Sequence, residues 1–175
     1  ITITEAAHAP LQLSLPGRFD VEIQREHLTT WPYIDYQRAG VDREQQHFSV
    51  IAAYAFNEHH AAGVMLGQKS FAMEYYRIAN DSLYIYQRQP VVFQGAGFYR
   101  FSLPLSAGIT PEAMFQVGGT DLGPVVGGRI ALRLSPFPKM SVIIGADGSL
   151  LAYKYKDKIF TSHSLGLSYG IRYQF

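Results

Sequence analysis

Thirteen residues at the end of the chain, His163 to Phe175, read H-S-L-G-L-S-Y-G-I-R-Y-Q-F and alternate without interruption. His163, Leu165, Leu167, Tyr169, Ile171, Tyr173 and Phe175 share one face of a strand; Ser164, Gly166, Ser168, Gly170, Arg172 and Gln174 share the other. Side chains of a strand alternate between its two faces, so the period of two sets one apolar face against one small, polar face. Such a strand must lie between two different environments, and the rest of the chain has to supply them.

The remainder repeats the pattern. Phe19, Val21 and Ile23 alternate with Arg18, Asp20, Glu22 and Gln24, and a second strand over 46–56 sets Phe48, Val50, Ala52, Tyr54 and Phe56 on one face. A third, near 60–75, alternates Ala62, Val64 and Leu66 with Gly63, Met65 and Gly67. The fourth, Val91 to Leu103, opposes Val91, Phe93, Tyr99, Phe101 and Leu103 to Gln94, Ala96, Arg100 and Ser102. In the fifth, Ala113, Phe115 and Val117 oppose Glu112, Met114 and Gln116. The sixth, about 122–134, sets Val126, Ile130, Leu132 and Leu134 against Gly127, Arg129, Ala131 and Arg133. The seventh, about 139–153, begins in phase with Met140, Val142 and Ile144, then slips at Gly145-Ala146-Asp147-Gly148, which predicts a bulge or a turn. With the closing strand the count is eight.

Between strands, Asn57-Glu58-His59, Gly118-Gly119-Thr120-Asp121 and Ser135-Pro136-Phe137-Pro138 read as tight turns, and residues 28–44 and 76–90 as long loops. Residues 1–16, with two prolines, read as a lead-in segment ahead of a barrel over 17–175. No signal peptide is visible, so an exported chain is expected to begin after a cleavage site or inside a longer protein with a periplasmic part upstream.

Alternation alone fits a soluble barrel with its apolar face inward as well as a membrane barrel with that face outward. The second face separates them. It is Gly, Ser and Ala with isolated charges, not the long polar cover of a soluble exterior, and an eight-stranded interior is just wide enough for side chains to fill. Glu22 and Glu112 are therefore expected to pair with Arg100, Arg129, Arg133 and Arg172, with Lys69 as an addition, because an unpaired buried ion costs several kcal/mol. Asp20 and Arg18 are expected nearer a mouth. Only 17% of residues are charged, against about 25% in soluble domains. The mean hydropathy of -0.02 is what cancelling faces produce. No run of 18 apolar residues exists for a spanning helix, and strands of about 9–13 residues suit a tilted crossing. Aromatics near strand ends, including Tyr54, Phe56, Tyr99, Phe101, Tyr153, Tyr155, Tyr169 and Tyr173, fit interfacial girdles.

The terminal S-Y-G-I-R-Y-Q-F, ending on Phe175, resembles the closing strand of bacterial outer-membrane β-barrels, and A-Y-A-F-N-E-H-H-A-A-G-V (residues 53–64) resembles their first periplasmic hairpin. From about residue 17 onward the chain is similar to small OmpA/OmpX-type barrels and to the outer-membrane barrel domains of Bacteroidetes. The resemblance implies an all-β, eight-stranded antiparallel up-and-down transmembrane barrel in the outer membrane of a Gram-negative cell. It also implies contact with outer-membrane lipid and lipopolysaccharide. Recognition by the barrel-assembly machinery would run through Tyr169, Ile171, Tyr173 and Phe175. Such a fold carries anchors, adhesins, channels and lipid-modifying enzymes alike.

Chemistry beyond the charges is thin. A net charge of +1 without a basic stripe gives no footprint for nucleic acid, and the absence of cysteine excludes disulfides and thiolate metal sites. His59 and His60 are adjacent and make a poor chelate. His27 and His47, with Glu26 and Asp42, form an unspecific candidate metal or proton site. Ser162, His163 and Ser164 are the local candidates for Ser/His chemistry of a lipid-A-modifying enzyme, but lack a matched carboxylate. Gly118-Gly119 and Gly127-Gly128 lack the spacing of a phosphate cradle. The tyrosines at 75, 76, 84 and 86 suggest a contact surface or simple girdle packing. The expectation is a membrane anchor or structural surface protein with a plugged lumen, no cofactor and no bound metal, against rivals in a lipid-A-modifying enzyme and a small-solute channel.

Overall fold

A computed structural model describes residues 19–28, 47–71, 73–79, 82–88, 90–105, 108–155 and 158–175. The expected lead-in over 1–16, Arg18, Asp42 and the first long loop fall outside them. Among the described residues ten strands form: β1 (Phe19–Leu28), β2 (His47–Ala55), β3 (His60–Ser70), β4 (Met73–Ala79), β5 (Ser82–Arg88), β6 (Val91–Ser102), β7 (Ile109–Thr120), β8 (Pro124–Leu134), β9 (Met140–Tyr155) and β10 (Lys158–Gln174). Eight of them close an antiparallel barrel in the order β1-β10-β9-β8-β7-β6-β3-β2. Closure is made by β1 on β10, from Asp20 opposite Gln174 to Leu28 opposite Gly166. Closure leaves no free edge strand in the barrel, although residues 158–165 of β10 run on past β1 and pair with β9 alone among the described residues.

One end carries Phe19 and Phe175, joined by a backbone bond from Phe175 N to Phe19 O of 3.0 Å, and is called the near end. The turn after β2 lies there, closed by Phe56 N to His60 O at 2.8 Å, as does the Ser135–Lys139 connection, from which Lys139 O accepts Gln174 N. At the far end the β7–β8 connection is only Asp121-Leu122-Gly123, closed by Thr120 N to Gly123 O at 2.8 Å.

Five expectations need correction. The stretch over 76–90 is not a loop without structure: β4 and β5 pair antiparallel as a separate hairpin, with Tyr75 opposite Tyr86 and Ile78 opposite Leu83. Tyrosines and isoleucines, which favour strands, stand in both of its halves and suit the pairing. The third barrel strand accordingly stops at Ser70, not near 75. Beyond it Phe71 N still reaches Pro90 O at 3.4 Å, but proline has no N–H to return.

The slip in the seventh strand is neither bulge nor turn. β9 keeps one register throughout, from Met140 opposite Tyr173 to Tyr155 opposite Lys158. Ile143, Leu151 and Tyr153 are apolar residues at inward positions, which disguises an unbroken alternation. Tyr153 is therefore interior and not part of a girdle. Gly118 and Gly119 belong to β7 and not to a turn. A Cβ on Gly118 would lie 2.1 Å from Gly95 O, so the residue is small because β6 approaches it closely.

The two faces of the wall differ sharply. Phe93, Ile130, Phe115, Val64, Leu66, Leu167, Ile144 and Ile171 all point outward and are exposed. Inward positions hold the polar and charged residues together with two apolar clusters. Ile51, Ala53, Ala61, Met65, Ala96, Phe98 and Met114 coat the interior of the β2-β3-β6-β7 wall. Phe71, Val92, Val125, Leu151 and Tyr153, with Phe160 packed against them, gather at the far end.

Candidate functional site: the charged barrel interior

Parity decides which charges enter. On β1 the even positions face inward, which buries Asp20, Glu22, Gln24 and Glu26 in succession. The same alternation brings in Lys69 from β3, Arg100 from β6, Glu112 from β7, Arg129 and Arg133 from β8, Asp147 from β9 and Arg172 from β10. Five acids (Asp20, Glu22, Glu26, Glu112, Asp147) thus meet five bases (Lys69, Arg100, Arg129, Arg133, Arg172).

Arg172 is the hub. Its Nη2 donates to Glu22 Oε2 at 2.8 Å and to Glu112 Oε2 at 2.7 Å, and its Nη1 donates to Glu112 Oε1 at 2.7 Å. Its Nε reaches Glu22 Oε2 at 3.1 Å and lies 3.5 Å from Asp20 Oδ1. The guanidinium fork suits this double carboxylate clamp, which an ammonium could not reproduce. Around it, Arg129 pairs with Glu22 and donates to Gln24 Oε1 at 2.6 Å. Gln24 Nε2 passes the chain on to Asp147 Oδ2 at 3.1 Å. Arg133 Nε lies 3.0 Å from Glu112 Oε1, Arg133 donates to Thr110 Oγ1 at 3.2 Å, and Arg100 pairs with Asp20. Toward the far end, Lys69 Nζ holds Glu26 Oε2 at 3.0 Å and donates to Ser149 Oγ at 2.9 Å.

All six interior residues singled out in the sequence (Glu22, Arg100, Glu112, Arg129, Arg133 and Arg172) come together here. Sequence reasoning misplaced two acids. Asp20, expected nearer a mouth, lies opposite Gln174 beside the near end, where Arg100 holds it buried. Asp147, read within a turn or bulge, faces inward opposite Arg129 in the β8–β9 ladder. Glu26, read as a loop-edge ligand, faces inward onto Lys69. Parity counted onward from Asp20, Glu22 and Gln24, already set on one face, would have placed Glu26 there too.

The other candidates are not assembled. Glu26 and His47 are register partners inside the barrel, whereas His27 is exposed on the outer face, so the pair of histidines is split by the wall. Among the described residues no group of three His, Asp or Glu is placed to hold a metal. Ser162 and Ser164 are buried on the inside, and His163 is exposed outside. His59 Nδ1 contacts Ser102 O at 3.0 Å and His60 meets the Tyr99 hydroxyl, both within an aromatic group that includes Phe101. Tyr169, Ile171, Tyr173 and Phe175 line the outer face of β10, and the Tyr173 and Phe175 rings pack edge to face at 5.0 Å. Phe19, Tyr54 and Phe56 continue that aromatic band at the near end.

No protein-family model and no curated protein matches the sequence. Among solved structures the chain is similar to the crystal structure of Neisserial surface protein A, with a TM-score of 0.55 and 13% identity over 90% of this chain and 97% of that one. Lower scores come from the solution structure of the de novo designed TMB2.3 (0.46, 13% identity, 93% and 98% covered). The Yersinia pestis outer membrane protein Ail in a phospholipid nanodisc scores 0.40, with 12% identity and 89% and 99% covered. The first likeness is one of fold: a closed, eight-stranded, antiparallel barrel.

Proposed function

We propose that this chain is an integral outer-membrane β-barrel of the small OmpA/OmpX kind, serving as a membrane anchor or structural surface protein with its lumen plugged. One observation carries the reading: the wall is inverted. Large apolar side chains cover the outside, Ile130 being 76% exposed, while ten charges lie within. Exposed apolar patches on soluble monomers rarely exceed a few hundred Å². An all-round apolar surface with a self-satisfied backbone is what a bilayer requires. The aromatic rings at the near end fit interfacial depth. Lipid and lipopolysaccharide would then be the surroundings of the outer face. The outward residues Tyr169, Ile171, Tyr173 and Phe175 would be the strand offered to the barrel-assembly machinery.

The interior supports the plug: ion pairs joined side to side lie in the near half, and the Phe71 cluster lies at the far end. The chain refolded in detergent is expected to migrate faster unheated than boiled on a gel; solubility as a monomer without detergent would refute the membrane assignment. In planar bilayers the refolded chain is expected to show no steady openings. Reproducible unitary conductance would replace the plug by a channel.

A further inference from the structure

Between the Arg172 network and the far-end apolar cluster lies a cavity of about 20 Å³, walled by Glu26, His47, Lys69, Gln94, Gln116 and Asp147 among others. Four of the residues lining it each carry a buried polar atom without a hydrogen-bond partner: Glu26 Oε1, His47 Nδ1, Gln94 Nε2 and Gln116 Oε1. The residues bearing them are 7%, 2%, 3% and 2% exposed, so bulk solvent does not serve them. A buried polar atom left unpaired is costly, so four on residues around one small space mark a built site.

The chemistry of the guest is set by counting donors and acceptors. His47 Nε2 accepts the Ser70 backbone N–H at 3.0 Å, which requires a lone pair there. The neutral ring must then carry its proton on Nδ1, the unpartnered atom. His47 therefore presents an N–H donor to the cavity and has no lone pair for a metal. Gln94 Nε2 is a second donor, and Gln116 is oriented by the bond its Nε2 donates to Ser149 Oγ at 3.4 Å. Glu26 Oε1 and Gln116 Oε1 are two acceptors. A metal cation is refused by the His47 N–H and by the Lys69 ammonium on the same wall. An ammonium ion would need four acceptors, and a halide four donors.

Two donors and two acceptors complement one molecule with two O–H groups and two lone pairs. A water needs about 10–15 Å³ of such space, and the cavity has room for one. The register also explains why the guest would stay. Two residues farther along each strand from Lys69, Gln94, Gly127 and Ser149 stand Phe71, Val92, Val125 and Leu151, the apolar layer at the far end. On the other side lies the Gln24–Arg129 link to the ion-pair network.

We propose that this chamber is a binding site for a single, slowly exchanging water, which joins Glu26, His47, Gln94 and Gln116 into one hydrogen-bonded layer beneath the apolar cap. The test is nuclear magnetic resonance on the isotope-labelled full chain refolded in detergent micelles. The expected result is a His47 ring protonated on Nδ1. That proton and the Gln94 side-chain amide should show cross-relaxation with water of the sign given by a molecule held longer than the tumbling time. Gln94→Met removes one donor and should abolish most of the His47–water signal while the heat-modifiable band is retained. Should that variant fail to fold, Gln116→Met removes an acceptor with the same expectation. Protonation on Nε2, absence of the water signal from a folded barrel, or a signal unchanged in both folded variants would overturn the proposal. So would a stoichiometric shift of the His47 resonances on adding Zn2+ alone.

Discussion

Arg172 contacts three acids at once, and its removal would strand the carboxylates that face it. Replacing one member of a buried pair costs about 3–5 kcal/mol, since the remaining charge is left desolvated. Arg172→Met is therefore expected to lower stability by about that amount in urea titrations of the refolded, heat-modifiable form. The double variant Arg172→Met with Glu112→Gln should cost less than the sum of its singles, because both remove the same contact. A strictly additive cycle would mean that the 2.7 Å bonds between these residues contribute nothing as a pair. This is also the scale at which sequence reading reached its limit. Alternation placed the inward charges on a face, but partners such as Glu22 and Arg172 are 150 residues apart along the chain. Only closure of β1 on β10 brings them opposite one another.

Among the elements, β10 was the most legible and β9 the least, for one reason. Every inward residue of β10 from Ser162 to Arg172 is small or polar, so its two faces differ in chemistry as well as direction. β9 turns Ile143, Leu151 and Tyr153 inward, and an interior this narrow admits apolar side chains wherever it is not charged. A hydrophobicity pattern then loses contrast although the geometry does not change. The glycines misled in a similar way: Gly118 reads as a turn but is a point of contact between staves. Gly118→Ala is expected to weaken the barrel, within the roughly 1–3 kcal/mol typical of overpacking, since its Cβ would meet Gly95 O at 2.1 Å. Gly95→Ala, whose Cβ would meet only Leu66 Cδ2 at 3.5 Å, should be neutral or slightly stabilising. Parallel urea midpoints for the two variants provide the comparison; equal losses would remove the close-approach argument.

For the whole molecule, the number of staves and the sense of the wall were readable in advance; the free-standing β4–β5 hairpin was not. Its pairing lies off the barrel, and the strand count had been made around a single closed sheet. The sense of the wall has a direct test in Ile130, which sits mid-strand on β8 and faces outward. In lipid vesicles Ile130→Lys should cost about 2–4 kcal/mol, as lysine does near a bilayer midplane. On a water-facing surface the same change would fall within about 0.5 kcal/mol of zero. The interior poses a different question, because ten ionised groups in a bilayer would ordinarily make a protein responsive to voltage, at about 2.3 kcal/mol per charge for each 100 mV. Here, among the described residues, four of the five interior acids contact a base and Asp147 is reached through Gln24, so the interior acids and bases balance in number and an applied potential finds little net charge there to pull on. The barrel's interior is in that sense electrically silent.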